Sequence, residues 1–165
     1  FKKSVSVLNK NQTEIKEQAM LIANELNDKI PVIYANSGFE GVAIRTRQQL
    51  NENSKTLCWH NVIPEMNHNE LLGWRTNTKN LMIINLKNHC DFYRNLKRQE
   101  IGSEVFKKFT NHIFDVCSKG NSMVENMMYL VCFGDWLSYF VAIKKQVDPV
   151  EMDILNIFKD KMFEI

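Results

Sequence analysis

The 165-residue sequence lacks the markers of several protein classes. Its four cysteines form no C-x-x-C pair, which argues against a disulfide framework. Its net charge is only +2 with scattered lysines and arginines, which argues against nucleic-acid binding. No unbroken apolar run reaches the roughly 18 residues needed to cross a bilayer, and no signal peptide is recognisable. We therefore expect a cytoplasmic protein with buried, reduced thiols that binds neither nucleic acid nor membrane.

The common catalytic and cofactor motifs are also missing. The chain has no P-loop, no G-x-G-x-x-G, no G-x-S-x-G and no H-E-x-x-H. Some cysteines and histidines could in principle meet around zinc, but their spacing matches no closed tetrahedral pattern. They are Cys58, His60, His68, His89 and Cys90. We therefore expect neither a metal nor a cofactor.

Short apolar runs alternate with helical patterns along the chain. The strand candidates are residues 31–35, 57–62, 79–86 and 112–117. The helix candidates are residues 10–27, 41–50, 64–73, 91–98, 103–110 and 122–145, with a last helix from 148. Gly102 is expected to separate the fourth helix from the fifth. This order predicts a single α/β domain of three αβα layers, with a central, mainly parallel sheet flanked by helices.

The last two helical patterns differ in how their apolar residues are distributed. The pattern over 122–145 is apolar nearly all round, as in a central core helix or one half of a subunit interface. The last helix carries one apolar stripe that is expected to dock it onto the domain. The stripe consists of Ile154, Leu155, Ile157, Phe158 and Met162.

Two unusually polar clusters frame the second strand candidate. They are Asn51-Glu52-Asn53 and Asn67-His68-Asn69-Glu70. A carboxylate such as Glu52 can move a proton between neighbouring carbons through an enediol, and the flanking amides could orient it. A histidine such as His68 can exchange a proton with a sugar ring oxygen. Aldose–ketose isomerisation needs these two roles and no cofactor.

Ordinary structural roles for the same residues remain open at this point. Glu52 at a helix end could be a solvated surface charge, and His68 a helix residue with satisfied hydrogen bonds. Glu70 could pair across a helix turn or stabilise the start of its helix. The predicted topology adds a constraint, because His68 follows a strand whereas Glu52 precedes one. The two should therefore lie at opposite edges of the sheet, unless the helix bends back or a second copy completes the site.

The same two clusters carry a resemblance to a known family. VAIRTRQQLNENSK (residues 42–55) and IPEMNHNELLGW (63–74) resemble the bifunctional phosphoglucose/phosphomannose isomerases, in the second of their two sugar isomerase (SIS) domains. The similarity continues over residues 134–159. It implies that Glu52 shuttles the proton between C1 and C2 of glucose 6-phosphate or mannose 6-phosphate on the way to fructose 6-phosphate. His68 would assist ring opening from the partner subunit of a homodimer, and Lys159, Asn51 and Asn67 would contact the phosphorylated hexose.

The sequence departs from the family pattern in two places. The first SIS domain of the family supplies a serine- and threonine-rich phosphate loop, and residues 36–38 are too short to match it. A threonine expected shortly before Lys159 is also not evident. Residues 1–165 are therefore expected to be one SIS domain, the C-terminal half of such an enzyme, and to be inactive alone. Arg45 and Arg47 are expected to hold the Glu52 helix or pair across the dimer. The alternative function is a non-catalytic module that binds sugar phosphates or dimerises.

Overall fold

A parallel sheet between two layers of helices forms the framework of the chain. The computed structural model describes residues 2–75 and 80–163. In chain order the elements are α1 (Lys2–Leu26), β1 (Ile30–Asn36), a 3-10 turn (Ser37–Phe39), α2 (Glu40–Ser54), β2 (Trp59–Ile63), α3 (Glu65–Gly73), β3 (Leu81–Lys87), α4 (Tyr93–Phe106), β4 (Ile113–Cys117), α5 (Met123–Lys145) and α6 (Asp153–Phe163).

The four strands are all parallel and lie in the order β2-β1-β3-β4. Successive side chains of β1 point to opposite faces, as the two-residue period of a strand requires. Ile33 and Ala35 join a core with α1, α2 and α5, whereas Val32 and Tyr34 join a second core with α3 and α4. The predicted three-layer αβα architecture is therefore confirmed.

The direction in which successive strands are added to the sheet reverses between β1 and β3. From β1 the chain crosses through α2 to β2 on one side, and β3 and β4 then follow on the other side. In open parallel sheets, a crevice that suits ligands opens at the carboxyl ends of the strands beside such a switch. Here that position lies between the ends of β1 and β3.

Two of the sequence predictions about helices, for α1 and α4, need correction. α1 begins at Lys2 rather than at residue 10, since Val7 and Leu8 also pack against the core. α4 runs through Gly102, which does not break it. A Cβ at this buried glycine would lie 3.7 Å from Asn67 Nδ2, which is an ordinary contact distance, so the packing of α4 on α3 does not require glycine here. Residue 79, the predicted start of the third strand, is outside the described residues.

The last helix forms, but it does not dock as predicted. α6 begins at Asp153, and none of its described residues is buried. The expected docking stripe is open, with Ile154 81% and Phe158 62% exposed. Apolar spacing predicts which face of a helix is apolar, but it does not identify what covers that face.

The cysteines are unpaired, but they are not all buried. Cys58 and Cys132 are partly buried, whereas Cys90 and Cys117 are exposed. The expectation of burial was wrong for Cys90, which lies in the turn after β3, and for Cys117, which ends the edge strand β4. Apolar residues nearby in sequence do not predict burial of these two cysteines, because side chains at strand ends and in turns need not face the core.

One helix among the described residues, α5, is long and apolar enough to cross a bilayer by length and composition alone. The search for unbroken apolar runs missed it because Glu125 and Asp135 interrupt the run. Half of the apolar window is buried inside the domain, where α5 packs against α1 and α2. α5 is thus the central core helix, one of the two roles that its sequence predicted.

Candidate active site

Glu52 lies in the last turn of α2 and is exposed. The two asparagines beside it make other contacts. Asn53 Nδ2 donates to Ser138 Oγ of α5 at 3.0 Å, and Asn51 Oδ1 accepts from Cys58 Sγ at 3.6 Å. The expectation that these amides orient the carboxylate is therefore corrected, because they hold the end of the helix instead. Within the described residues, the Glu52 carboxylate has no hydrogen-bond partner.

The helix that carries Glu52 is seated closely on α5. A Cβ on Gly134 would lie 2.8 Å from Oγ1 of the buried Thr46, so glycine is needed for the two helices to approach. Asp135 Oδ1 of α5 accepts from Gln49 Nε2 at 2.6 Å and pairs with Arg45 Nη2 at 3.3 Å. Arg45 thus holds the Glu52 helix, as the sequence suggested. Close packing and this polar contact fix the backbone from which Glu52 projects.

A pocket of about 560 Å³ opens beside Glu52. One wall comes from α2 and the other from the segment that begins α6. Its lining is Arg45, Gln48, Gln49, Asn51, Glu52, Lys55, Glu151, Met152, Ile154 and Leu155. Amide and charged side chains on the α2 wall offer both donors and acceptors, which is what a ligand with several hydroxyl groups requires.

Sequence reasoning missed several members of this pocket, notably Gln48, Gln49 and Lys55. Helical spacing could have identified two of them, because residues three and four apart share one face of a helix. Gln48 and Gln49 precede Glu52 at those spacings. Lys55 could not be found this way, because it lies one residue beyond the end of α2.

His68 and Glu52 lie at opposite ends of the strands, as the topology predicted. α2 ends before β2 begins, and α3 starts after β2 ends. The five-residue strand between them is about 16 Å long at 3.3 Å per residue. His68 is exposed on α3 and does not line the Glu52 pocket. α2 does not bend back, so the two proton-transfer candidates do not meet within one chain.

The other two predicted contact residues also lie apart from Glu52. Asn67 is partly buried between α3 and α4, where its Oδ1 has no partner among the described residues and its Nδ2 contacts Met66 Sδ at 3.9 Å. Lys159 is exposed on α6 and is not part of the pocket lining. Of the predicted site residues, the structure brings together only Glu52 and Asn51.

The Glu70 carboxylate accepts three hydrogen bonds from neighbouring side chains. Its Oε1 accepts from Tyr34 Oη at 2.5 Å and from Trp59 Nε1 at 3.0 Å, and its Oε2 accepts from Asn61 Nδ2 at 2.6 Å. Trp74 Nε1 donates to the Tyr34 hydroxyl at 3.0 Å. Burial and the neighbouring carboxylate raise the pKa of Tyr34, so its hydroxyl stays a donor. Glu70 therefore ties α3 to β1 and β2, and it neither pairs along its own helix nor caps it.

Hydrogen bonds between side chains link the ends of β1 and β3 at the switch in strand order. Asp91 Oδ2 accepts from Asn36 Nδ2 at 2.5 Å and from Asn88 Nδ2 at 2.8 Å. Its Oδ1 accepts from the backbone N–H of Phe92 at 2.9 Å. A carboxylate here would repel an anionic ligand such as a phosphate. The candidate pocket therefore lies elsewhere, at the end of α2 that faces the amino ends of the strands.

His60 on β2 and Cys58 just before that strand are titratable groups between the two clusters. Burial and the nearby Arg47 lower the pKa of His60, while Glu40, 3.9 Å from its Nε2, opposes that shift. Burial raises the pKa of Cys58 to about 11, so this thiol is protonated at neutral pH. Among the described residues, no group of three or more potential ligands is arranged to hold a metal ion.

Comparison with known proteins identifies the family behind this geometry. A model of the bacterial phospho-glucose isomerase C-terminal SIS domain matches residues 15–162, which is most of the chain. The chain belongs to this family. Its likeness to solved structures agrees with the fold: a putative phosphosugar isomerase from Salmonella typhimurium LT2 superposes with a TM-score of 0.72 at 14% identity, over 89% of this chain and 45% of that one.

Two relatives of this SIS domain carry the same description. The bifunctional phosphoglucose/phosphomannose isomerase of Caldicellulosiruptor bescii is 34% identical over 157 residues, which is 92% of this chain and 46% of that protein. The enzyme of that name from Aquifex aeolicus is 31% identical over 94% of this chain and 49% of its own length. The chain thus spans about half the length of the curated relatives it matches.

Proposed function

We propose that this SIS domain supplies the proton-transfer base of an aldose–ketose isomerase. The reaction would interconvert glucose 6-phosphate or mannose 6-phosphate with fructose 6-phosphate. The observation that carries the proposal is Glu52, a carboxylate exposed beside a pocket of about 560 Å³ on a helix that packs closely on α5. A base that accepts no hydrogen bond from the described residues keeps its lone pairs for the substrate proton.

In the proposed mechanism, Glu52 removes the proton from C2 of the open-chain aldose phosphate and returns it to C1. The electron pair left at C2 forms the enediol, and a proton moves between the two oxygens. Gln48, Gln49 and Asn51 line the pocket beside Glu52, and their amides are suited to hydrogen-bond the sugar hydroxyls. No cofactor is required, because the reaction only relocates hydrogen within one molecule.

The second proton-transfer group would come from another copy of the chain. His68 is exposed and lies across the sheet from Glu52, so a homodimer in which it reaches the partner's pocket would complete the site. Lys159 and Asn67 would add substrate contacts in that assembly, Lys159 from the helix that borders the pocket. The curated relatives are about twice as long, and we assign phosphate binding to the other half of such a protein. We place the protein in the cytoplasm, in keeping with its unpaired cysteines.

The direct test is Glu52→Gln in the complete protein that carries this chain. The change keeps the size of the side chain but removes the base, so isomerase activity should fall by about 10²- to 10⁴-fold. Glu104→Gln, at an exposed position on α4, is the matched control and should leave activity unchanged. Isomerase activity near wild type in the Glu52→Gln protein would end the assignment.

Sharing of the site between subunits can be tested by mixing two inactive variants. Glu52→Gln and His68→Ala homodimers each lack one essential group at both sites. A dimer with one subunit of each kind has one intact site, so random reassortment should restore about a quarter of wild-type activity. No recovery after verified subunit exchange would place both groups in one subunit or remove His68 from the mechanism.

The alternative function is a sugar-phosphate-binding or dimerisation module without catalysis. The Asp91 carboxylate at the switch between β1 and β3 and the position of His68 outside the Glu52 pocket are compatible with such a role. A module would bind the hexose phosphate without exchanging its C2 proton with solvent. Incubation of the substrate in heavy water, followed by NMR at C2, separates the two, because only the isomerase introduces deuterium there.

A further inference from the structure

Lys55 makes an unusual set of contacts at the end of α2. Its ammonium donates to three backbone carbonyl oxygens: Glu52 O at 3.0 Å, Asp148 O at 2.8 Å and Glu151 O at 2.9 Å. A lysine ammonium has three N–H groups, so this arrangement uses all of them. The Glu151 carboxylate lies 3.9 Å away and balances the charge, and the lysine side chain is only 29% exposed.

The backbone of Lys55 is in a conformation that favours glycine. Its φ of 49° and ψ of 40° place it in the left-handed region, where its N–H caps α2 by donating to Leu50 O. Side chains are strained there, and helices commonly end with glycine at this position. The three hydrogen bonds of the ammonium therefore offset the strain of a backbone conformation that glycine would adopt more easily.

The segment that Lys55 holds has few other attachments. α6 buries none of its described residues, so core packing does not fix its position. Within the described residues, Lys55 is the side chain from outside residues 148–153 that donates hydrogen bonds to this segment. The others, Val150 N to Asp148 Oδ1 and Asp153 N to Glu151 Oε1, stay inside the segment. Yet this segment and the start of α6 form the second wall of the Glu52 pocket.

We infer that Lys55 is a positioning residue that fixes the 148–153 segment and α6 against the helix carrying Glu52, and thereby sets the width of the pocket. The same ammonium holds the backbone of Glu52 and the backbone of the opposite wall. Binding of a sugar phosphate therefore depends on a side chain that does not act as an acid or a base. This role rests on the proposed function only where it concerns activity, because the link between the two walls is a property of the structure.

The first experiment measures hydrogen exchange in the complete protein and needs no substrate. In Lys55→Met, the amides of α6 should exchange about tenfold faster, whereas those of α2 and α5 keep their protection. Lys55→Gly is the second variant: it also removes the ammonium, but it relieves the left-handed strain and so preserves the folded domain. Gln146→Gly is the matched control, since Gln146 is exposed at the end of α5 with a φ of 56° and lies outside the pocket lining. Unchanged exchange of α6 in both Lys55 variants would overturn the inference.

The second experiment separates positioning from chemistry by steady-state kinetics. Lys55→Gly should raise KM by about tenfold and change kcat by less than about threefold, with the same pH profile, because Glu52 remains intact. Lys55→Arg should recover part of the KM, since a guanidinium keeps the charge but cannot direct three donors as an ammonium does. Faster exchange of α6 with unchanged KM would overturn the role in the pocket. If the wild-type protein had no isomerase activity, the proposed function would fail, and the exchange experiment would still decide whether Lys55 holds α6.

Discussion

Glu52 and Glu70 are both carboxylates in asparagine-rich clusters that flank β2, yet their surroundings differ completely. Glu52 is exposed beside a pocket and has no hydrogen-bond partner among the described residues. Glu70 accepts three hydrogen bonds from side chains of β1 and β2. One carboxylate is open to a ligand in the pocket, and the other is held in a hydrogen-bond network. The difference shows that the composition of a cluster does not determine the role of its acid.

The origin of the difference lies in where each helix meets the sheet. Glu70 is on the face of α3 that covers β1 and β2, so Tyr34, which is far away in sequence, reaches it from the buried core. Glu52 lies in the last turn of α2, and the helix has already made its contacts with α5 through Thr46 and Asn53. Side-chain donors of β1 and β2 thus hydrogen-bond to Glu70 and not to Glu52.

The largest effect on stability that would sharpen this comparison is expected from Glu70→Gln. The amide keeps one acceptor but presents an NH₂ group toward side chains that are themselves donors. Loss of charge-assisted hydrogen bonds in a partly buried network should lower the free energy of unfolding by about 2 kcal/mol. For a chain of this size, that corresponds to a decrease in Tm of roughly 4–8 °C. Thermal and urea denaturation measure it.

The control for Glu70→Gln is Glu65→Gln in the first turn of the same helix. Glu65 is exposed and accepts only a local bond from Asn69 at 3.1 Å, so the change should stay within about 0.5 kcal/mol. Glu52→Gln should also leave Tm nearly unchanged while it removes activity. Equal Tm values for the Glu52 and Glu70 variants would break the distinction between a reactive and a structural carboxylate.

An effect of about the same size is expected at the contact that seats the Glu52 helix. Gly134→Ala would place a methyl group 2.8 Å from Thr46 Oγ1, and such overpacking costs about 1–3 kcal/mol. The added replacement Thr46→Ser, which removes the methyl group that also crowds this position at 3.3 Å, should recover part of the loss. Denaturation of the single and double variants measures the coupling between the two positions.

Gly41→Ala provides a control of opposite sign for Gly134→Ala. It lies near the start of the same α2 helix, and a Cβ there meets no atom within 4 Å. Alanine in a helix is favoured over glycine by about 0.5–1 kcal/mol, so this variant should be slightly more stable than wild type. A similar destabilisation at both positions would show that glycine serves backbone freedom in α2 and α5 rather than a close approach between them.

Much of the fold could be predicted because its signals are local. The alternation of apolar runs and helical patterns indicated the parallel sheet, and the order of elements placed Glu52 and His68 at opposite edges. The break expected at Gly102 was wrong because a single glycine costs a helix only about 1 kcal/mol relative to alanine and does not by itself end it. The docking predicted for α6 was wrong because a stripe identifies an apolar face but not its partner.

The site was less accessible to prediction because its members come from separate parts of the chain. Glu52 and Asn51 belong to one local motif, whereas the facing wall around Met152 follows nearly a hundred residues later. The bond from Lys55 to Glu151 O that joins the two has no signature in sequence. In the same way, nothing near Glu70 in the chain indicates that Tyr34 will donate to it.

The smallest expected effect is a pH dependence of stability that comes from His60, on the strand between the two carboxylates. Glu40, Arg47 and Glu70 face this side chain, which is 14% exposed, and burial together with Arg47 lowers its pKa below the ordinary value of 6.5. The unfolded chain therefore binds a proton more readily than the folded one. The contribution of neutral His60 to the free energy of unfolding should be fully present above pH 6.5. It should be lost as the pH decreases from 6.5 toward the lowered pKa. Urea denaturation between pH 7.5 and 5 should show this slope, and His60→Gln should flatten it, because glutamine does not titrate. An unchanged slope in that variant would show that His60 is not the source of the acid sensitivity.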